Sequence, residues 1–314
     1  MTGQFQIHPD MNELMAAKNA LTPGAGETLK RTEWDNYGAR LSRPYPKGMA
    51  VEDLALSCPG FGHDGTIKVR AYRPAGHEIP APCVIFIHGG AFIKGSLDSG
   101  DSNAWGIADQ TGAIVVSVDY RLAPNNIYPA ALHDCYAVLQ YVSKNAGTFG
   151  IDPERIALWG ESAGGNLAAA TALYARDKSG PKLVAQVLVY GTFSDELESE
   201  SRTNFSKGFG LEGGWSSWDA YLGGKRPTSE PYAAPLKHPD LSRLPPAFVH
   251  FGEYDLLADD SREYAKKLKA AGSAVVLRCA ERMIHGFIRA RFSGPTAAHE
   301  FTVPCEFLRN IFKI

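Results

Sequence analysis

Arg155-Ile156-Ala157-Leu158-Trp159-Gly160-Glu161-Ser162-Ala163-Gly164-Gly165-Asn166-Leu167-Ala168-Ala169-Ala170-Thr171-Ala172-Leu173 is the stretch on which the reading of this chain turns. Its first five residues form a short apolar run that reads as a buried strand, and Gly165 onward reads as the start of a helix. Between them, Gly160-Glu161-Ser162-Ala163-Gly164 fits G-x-S-x-G. This pattern sets a serine at the apex of a sharp strand-to-helix turn and aims the N-terminus of the helix at it. The flanking glycines matter because such a turn brings the chain close to itself, where a Cβ does not fit. The plain alternative is an ordinary Gly-rich connection, so the rest of the chain has to decide.

Working outward, strand-like runs recur at Val51 to Ser57, Thr66 to Tyr72, Cys83 to His88, Ala113 to Val118, Arg155 to Trp159, Val184 to Tyr190, Ala247 to Phe251 and Ala274 to Arg278. From Cys83 onward they alternate with helical stretches such as Ala130 to Lys144, Ser162 to Lys178 and Asp259 to Ala271. That alternation predicts βαβ units, a mostly parallel sheet and an α/β fold. The first two runs are joined by a short turn and are expected to pair antiparallel at one edge. Their turn, Gly60-Phe61-Gly62-His63-Asp64-Gly65, matches G-x-G-x-x-G. That dinucleotide fingerprint requires a helix directly after it, whereas Thr66 to Tyr72 alternates like a strand, so it reads as a hairpin turn.

Two segments stand outside the alternation. Residues 1–45 carry helical signals, for example Pro9 to Lys18, and end in the breaker-rich Ser42-Arg43-Pro44-Tyr45-Pro46. Residues 192–231 are polar and Gly-rich yet hold several aromatic residues, with Trp215, Trp218 and Tyr221 spaced for one face of a short helix. The expected division is therefore an N-terminal cap over 1–45, a catalytic domain over 46–191 and 232–314, and a lid insert over 192–231. Phe209, Leu211, Trp215 and Trp218 of the insert are expected to line an apolar pocket; the bland reading is a solvated excursion with its own small core.

The totals narrow the classes. The 314 residues suffice for one large α/β domain with a small cap. With 44% hydrophobic and 21% charged residues the composition is that of an ordinary globular protein. The formal net charge of -2 lacks the basic footprint of a nucleic-acid binder. The first residues show neither the basic nor the apolar region of a secretory signal, and no run is apolar enough to span a bilayer. Cys58, Cys83, Cys135, Cys279 and Cys305 are scattered, odd in number and without a C-x-x-C pair. They read as free thiols in a reducing compartment, not as a disulfide frame or a metal site, and a cytoplasmic protein is expected.

A serine hydroxyl is a weak nucleophile until a general base takes its proton, and a histidine held by an acid is the usual base. In the folds that carry a G-x-S-x-G elbow the chain order is Ser, then Asp or Glu, then His. Asp255, just past the apolar run Ala247 to Phe251, and His285, after the next strand, fit that order. His133 and His250 lie within regular patterns and read as structural; His238 and His299 look exposed. Asp259 and Asp260 read as the start of a helix, where carboxylates satisfy unpaired N–H groups. His88-Gly89-Gly90-Ala91 follows the strand Cys83 to Ile87. It offers the backbone N–H groups of Gly89 and Gly90, with Ala163 as a third, to a developing oxyanion. His88 reads as a loop brace.

Taken together, His88 to Ala91, Asp119-Tyr120-Arg121-Leu122-Ala123-Pro124, Gly160 to Asn166, Tyr254-Asp255 and His285-Gly286-Phe287 resemble the hormone-sensitive-lipase-like α/β-hydrolases, the bacterial family IV esterases. The resemblance runs from about Val51 onward. It implies an α/β-hydrolase fold with an eight-stranded sheet, helices on both faces and a small helical cap. It also implies hydrolysis of short- to medium-chain acyl esters through Ser162, His285 and Asp255, with a small-molecule ester as partner and no metal or organic cofactor. Asp119 and Arg121 look structural. Ala91 and Glu161 stand where many relatives have Gly and Asp. Leu256 and Gly191 each replace a common proline, the second at the expected floor of the acyl pocket. The same machinery serves amides, lactones and carbamates, which leaves a related serine hydrolase as the alternative. A non-catalytic binding module, as in the similar gibberellin receptors that lack the histidine, is the remote one. Relatives often pair through their last strand and helix. The closing run Phe301 to Ile314 is apolar enough for a homodimer contact and equally for packing on its own sheet.

Overall fold

One eight-stranded sheet organises the chain, in the order β1-β2-β4-β3-β5-β6-β7-β8. The strands are β1 (Ala50–Ser57), β2 (Thr66–Arg73), β3 (Ala81–Ile87), β4 (Ile114–Val118), β5 (Ile151–Glu161), β6 (Ala185–Val189), β7 (Ala247–Tyr254) and β8 (Val275–Ile284). This computed structural model describes residues 5–21, 27–196, 198–209 and 215–314; for 27–30 and Trp215 only the backbone is described. β1 pairs antiparallel with β2, and β2 with β4; every later pairing is parallel. The Gly60 to Gly65 turn thus joins two antiparallel strands, as the alternation after it requires. The helices are α1 (Asn12–Asn19), α2 (Glu27–Arg40), α3 (Leu97–Thr111), α4 (Ala130–Lys144), α5 (Ala146–Phe149), α6 (Ala163–Asp177), α7 (Glu200–Phe205), α8 (Trp215–Leu222), α9 (Ala258–Ala270) and α10 (Pro295–Phe312).

The central strands read as unbroken apolar runs because both faces are covered. Every residue of β3, β4 and β6 is buried. Successive side chains point to opposite faces. Cys83, Ile85 and Ile87 of β3 accordingly belong to the core layer that includes α4, α6 and α9, whereas Val84 and Phe86 belong to the layer that includes α3 and α10. Phe301, Cys305, Leu308 and Phe312 of the closing run are buried in that second layer. This is the packing on its own sheet that the sequence allowed.

Two strands run longer than their apolar cores. β5 begins at Ile151, four residues before the expected start, and its pairing with β3 shifts register between Ala81 and Cys83. That irregularity accommodates Asp152-Pro153, a dipeptide that reads as a breaker, inside a strand. β8 continues to Ile284 through Arg278, Glu281 and Arg282. Polar residues fit there because β8 is the edge of the sheet. Arg278 also pairs with Glu300 of α10, at 2.6 Å, and His250 of β7 shares the same carboxylate at 2.9 Å. His250 is therefore structural, as its position in a strand indicated.

Candidate active site

At the end of β5 the chain reverses into α6 with Ser162 at the apex, at φ 56° and ψ -118°. A non-glycine residue at positive φ is strained, and it persists because its surroundings over-determine it. A Cβ on Gly160 would run into the Gly164 carbonyl, and one on Gly164 into the carbonyls of Ile87 and His88. The flanking glycines are thus required by the contact between the turn and the end of β3. Gly165 approaches Gly191 so closely that a Cβ would lie 2.9 Å from its Cα. Gly191 faces that helix and the Phe193 ring. It is Tyr190, one residue earlier, that lines the cavity above Ser162, so the exchange at Gly191 does not form the pocket floor.

Asp255 follows β7 and is fully buried; His285 follows β8. His285 Nδ1 lies 2.8 Å from Asp255 Oδ2, and its Nε2 lies 3.0 Å from Ser162 Oγ. An ionised carboxylate only accepts, so Nδ1 carries the proton and Nε2 is left to accept from the serine hydroxyl. The other Asp255 oxygen accepts from the Leu257 N–H at 2.9 Å, which fixes the carboxylate. Three residues far apart in sequence thus form one hydrogen-bonded chain at the C-terminal ends of the strands, where open α/β sheets gather ligand-facing groups.

Gly89 and Gly90 lie beside this chain. A Cβ on Gly89 would sit 3.3 Å from Ser162 Cβ. Gly90 has φ 142°, a value that favours glycine, and a Cβ there would strike the Lys94 carbonyl. Among the described residues the N–H groups of Gly89, Gly90 and Ala163 donate to no protein acceptor. Three open backbone donors around a serine suit a tetrahedral oxyanion. His88 is fully buried, donates from Nδ1 to the Gly89 carbonyl at 2.9 Å and stacks on Tyr120. Burial pulls its pKa down to about 3, so it stays neutral and braces the loop.

A cavity of about 460 Å³ opens above Ser162 and His285. Its walls differ from those expected of the insert. Phe209 is packed among Phe5, Phe205 and Tyr254, and Trp218 among Phe92 and Tyr221 with its Nε1 bonded to Thr192 Oγ1. Both are buried and turned away from the cavity. Large aromatic rings stabilise more when fully buried than when half-wet, and here they hold the insert down. Leu211 lies outside the described residues, as does the side chain of Trp215. Gly208, Ser216 and Ser217 face the cavity instead, opposite Met15, Lys18, Trp34 and Tyr37 of α1 and α2. The sequence reading assigned these no role; the spacing of three within each helical pair was the available signal.

Other acids and histidines fall into supporting places. Asp259 and Asp260 begin α9, but their carboxylates do not cap that helix. Asp260 accepts from the N–H groups of Phe193 and Ser194 and pairs with Arg202 at 2.7 Å; Asp259 accepts from the Ser201 N–H. Both pin the insert. Burial dominates at Asp260 and raises its pKa to about 6, against the pull of Arg202. His238 is not exposed: its ring packs on Tyr232 and meets Asp177 at 3.2 Å. Arg121 clamps Asp134, and Asp119 holds Arg31 of α2. Glu161, beside the serine, is buried and bonded to Asn103 at 2.8 Å and Tyr190 at 3.2 Å, with Arg289 at 3.6 Å. Asn166 donates to the Thr192 and Ala233 carbonyls, tying α6 to the first residue of the insert and to the chain just beyond its end. Among the described residues no three His, Cys, Asp or Glu side chains gather as metal ligands would. No helix among them is long and apolar enough to cross a membrane.

Comparison with known proteins adds four findings. Residues 84–289 match the family described as alpha/beta hydrolase fold. Carboxylesterase NlhH of Mycobacterium tuberculosis is 42% identical over 269 residues, 83% of this chain and 84% of the relative. An arylesterase of Saccharolobus solfataricus is 35% identical over 80% of this chain and 81% of its own. Among solved structures, a hyperthermophilic esterase of the archaeon Pyrobaculum calidifontis superposes with a TM-score of 0.87 at 32% identity, covering 97% of this chain and 98% of its own.

Proposed function

Because this chain belongs to the hormone-sensitive-lipase-like α/β-hydrolases, we propose that it is a carboxylesterase working through Ser162, His285 and Asp255. The observation that carries the assignment is the continuous Asp255–His285–Ser162 hydrogen-bond chain at the bottom of the cavity. Ser162 Oγ attacks the ester carbonyl carbon while His285 Nε2 takes the hydroxyl proton. Asp255 holds the ring in the required tautomer and stabilises the imidazolium. The carbonyl oxygen, now an oxyanion, is received by the N–H groups of Gly89, Gly90 and Ala163. Collapse of the tetrahedral intermediate expels the alcohol, which leaves with the proton from His285. Water then attacks the acyl-enzyme with His285 as base, releasing the acid and restoring the serine.

The described parts of 1–45 and 192–231 act as the cap, since Lys18, Trp34, Tyr37, Ser216 and Ser217 face the catalytic residues from above. A cavity of about 460 Å³ suits short to medium acyl chains. The cytoplasm is the fitting compartment for five free cysteines, four of them buried. The test is turnover of p-nitrophenyl esters from acetyl to dodecanoyl, with Ser162→Ala alongside. Hydrolysis should peak at short chains and fall about 10⁴- to 10⁶-fold in the folded variant. Near-normal turnover without the hydroxyl overturns the assignment.

A further inference from the structure

The wall of the cavity facing the catalytic residues is built from hydrogen-bond donors. Trp34 and Tyr37 of α2 lie with ring centroids 4.8 Å apart. The ammonium of Lys94 sits 4.1 Å from the Trp34 ring, and the Arg289 guanidinium 5.5 Å from that of Tyr37. Lys18 of α1 enters beside them and donates to the His285 carbonyl at 2.5 Å. Trp34 Nε1 and the Tyr37 hydroxyl are both buried, and among the described residues neither has a hydrogen-bond partner. Tyr37 as a whole is 1% exposed. An indole N–H can only donate, and burial pushes the Tyr37 phenol up, so it keeps its proton. A buried donor left without an acceptor is costly, and two in one wall of an active-site cavity call for a common acceptor. Glu161, the acidic residue lining the cavity, does not serve, since Asn103, Tyr190 and Arg289 already occupy it.

We infer that this wall is a carboxylate-binding subsite and that the preferred substrates are esters carrying a second, anionic carboxylate group. Trp34 Nε1, the Tyr37 hydroxyl and the Lys18 ammonium receive the carboxylate while the ester carbonyl lies against Ser162. Two oxygens with about four lone-pair directions match two neutral donors and one cation. Burial is the largest influence on Lys18 and draws its pKa down to about 7, against the pull of Asp255; a carboxylate docked beside it favours the charged form. The inference rests on the esterase assignment above and adds the substrate class.

The test compares kcat/KM for monoethyl adipate with that for ethyl hexanoate, by pH-stat at neutral pH. A second pair, 4-acetoxybutanoate against pentyl acetate, places the carboxylate on the alcohol side. The carboxylate ester of at least one pair is expected to be favoured by about 10-fold or more, the scale of one charge-assisted hydrogen bond. The same ratio should collapse toward one in Tyr37→Phe and in Trp34→Phe, chiefly through KM. Adipate should also inhibit p-nitrophenyl acetate hydrolysis competitively in the wild type, and more weakly in whichever variant folds. Ratios near or below one in both pairs, with the neutral esters turned over, overturn the subsite and leave the esterase standing. A high ratio that survives both substitutions overturns it as well. A folded wild type that hydrolyses none of these esters overturns both readings.

Discussion

The floor and the roof of the cavity are made from different kinds of structure. Ser162, Asp255 and His285 stand at the ends of β5, β7 and β8, on a sheet whose central strands are buried on both faces. Lys18, Trp34, Tyr37, Ser216 and Ser217 come from α1, α2 and α8, outside the strand–helix alternation. The floor is held by many parallel pairings and by backbone contacts too close for side chains. The roof is held by a few anchors: Asp260 and Arg202, Trp218 on Thr192, and the aromatic cluster of Phe5, Phe205, Phe209 and Tyr254. On the reading proposed above, the difference teaches that the chemistry is fixed by the sheet and the choice of substrate by the elements laid over it. Loops and short elements on a rigid scaffold are where proteins of this kind vary.

The largest effect should come from the floor. Asp255→Asn keeps the shape but presents an amide N–H or a neutral oxygen to His285, favouring the wrong tautomer. We expect kcat to drop about 10⁴-fold with KM little changed, read by steady-state kinetics on a short p-nitrophenyl ester. A comparable loss of kcat from a substitution confined to the insert would break the division between floor and roof.

Next is Glu300→Gln, which tests how firmly α10 holds the far edge of the sheet. Burial acts to raise the Glu300 pKa, but the hydrogen bonds from His250 and Arg278 outweigh it and hold the carboxyl at about 2, against 4.5 in an unperturbed glutamate. A lowered folded-state pKa contributes stability that is present above the unfolded value and is lost as pH falls toward the folded one. Breaking the cluster should cost about 3–5 kcal/mol at pH 7 by urea denaturation. The gap between wild type and variant should narrow progressively below pH 4.5; a gap that is constant with pH would show that the charge is not responsible.

Gly164→Ala should destabilise by about 1–3 kcal/mol and lower kcat, because the new methyl pushes the end of β3 and with it Gly89 and Gly90. Gly147→Ala in α5, where nothing lies within 4 Å, is the matched control and should be neutral or slightly stabilising. Equal effects at the two glycines would remove the argument from close approach. The smallest effect is expected in the roof. Thr192→Val leaves the Trp218 N–H without its acceptor and should cost about 1 kcal/mol or a little more, with kcat on a short ester within about twofold.

Much of the floor was legible because its signals are local and carry their own sterics. Gly160 and Gly164 around Ser162 announce a tight turn, and the chain order Ser162, Asp255, His285 narrows the partners to one acid and one histidine. Asp259 and Asp260 show where local reading stops. Their place at the start of α9 was correct, yet their carboxylates serve residues 193, 194 and 201, a pairing that no periodicity encodes. Phe209 and Trp218 show the same limit from the other side. Aromatic residues in a polar insert were read as pocket lining, whereas burial against Phe5 and Phe92 removes more apolar surface from water than a wet cavity wall would.

What the amino-acid order decided for this protein is the alternating strand–helix framework and the candidate reacting groups, since a two- or 3.6-residue period and a glycine-flanked serine act within a few residues of themselves. What only the folded chain decided is which surfaces meet above Ser162: Lys18 against the His285 carbonyl, Trp34 and Tyr37 in one cavity with Gly89 and Gly90, Glu161 among Asn103, Tyr190 and Arg289. The hydrogen bonds and ion pair among them join residues 29 to 267 positions apart. Their energy comes from packing and desolvation, which depend on the arrangement of whole elements and leave no periodic trace in the sequence.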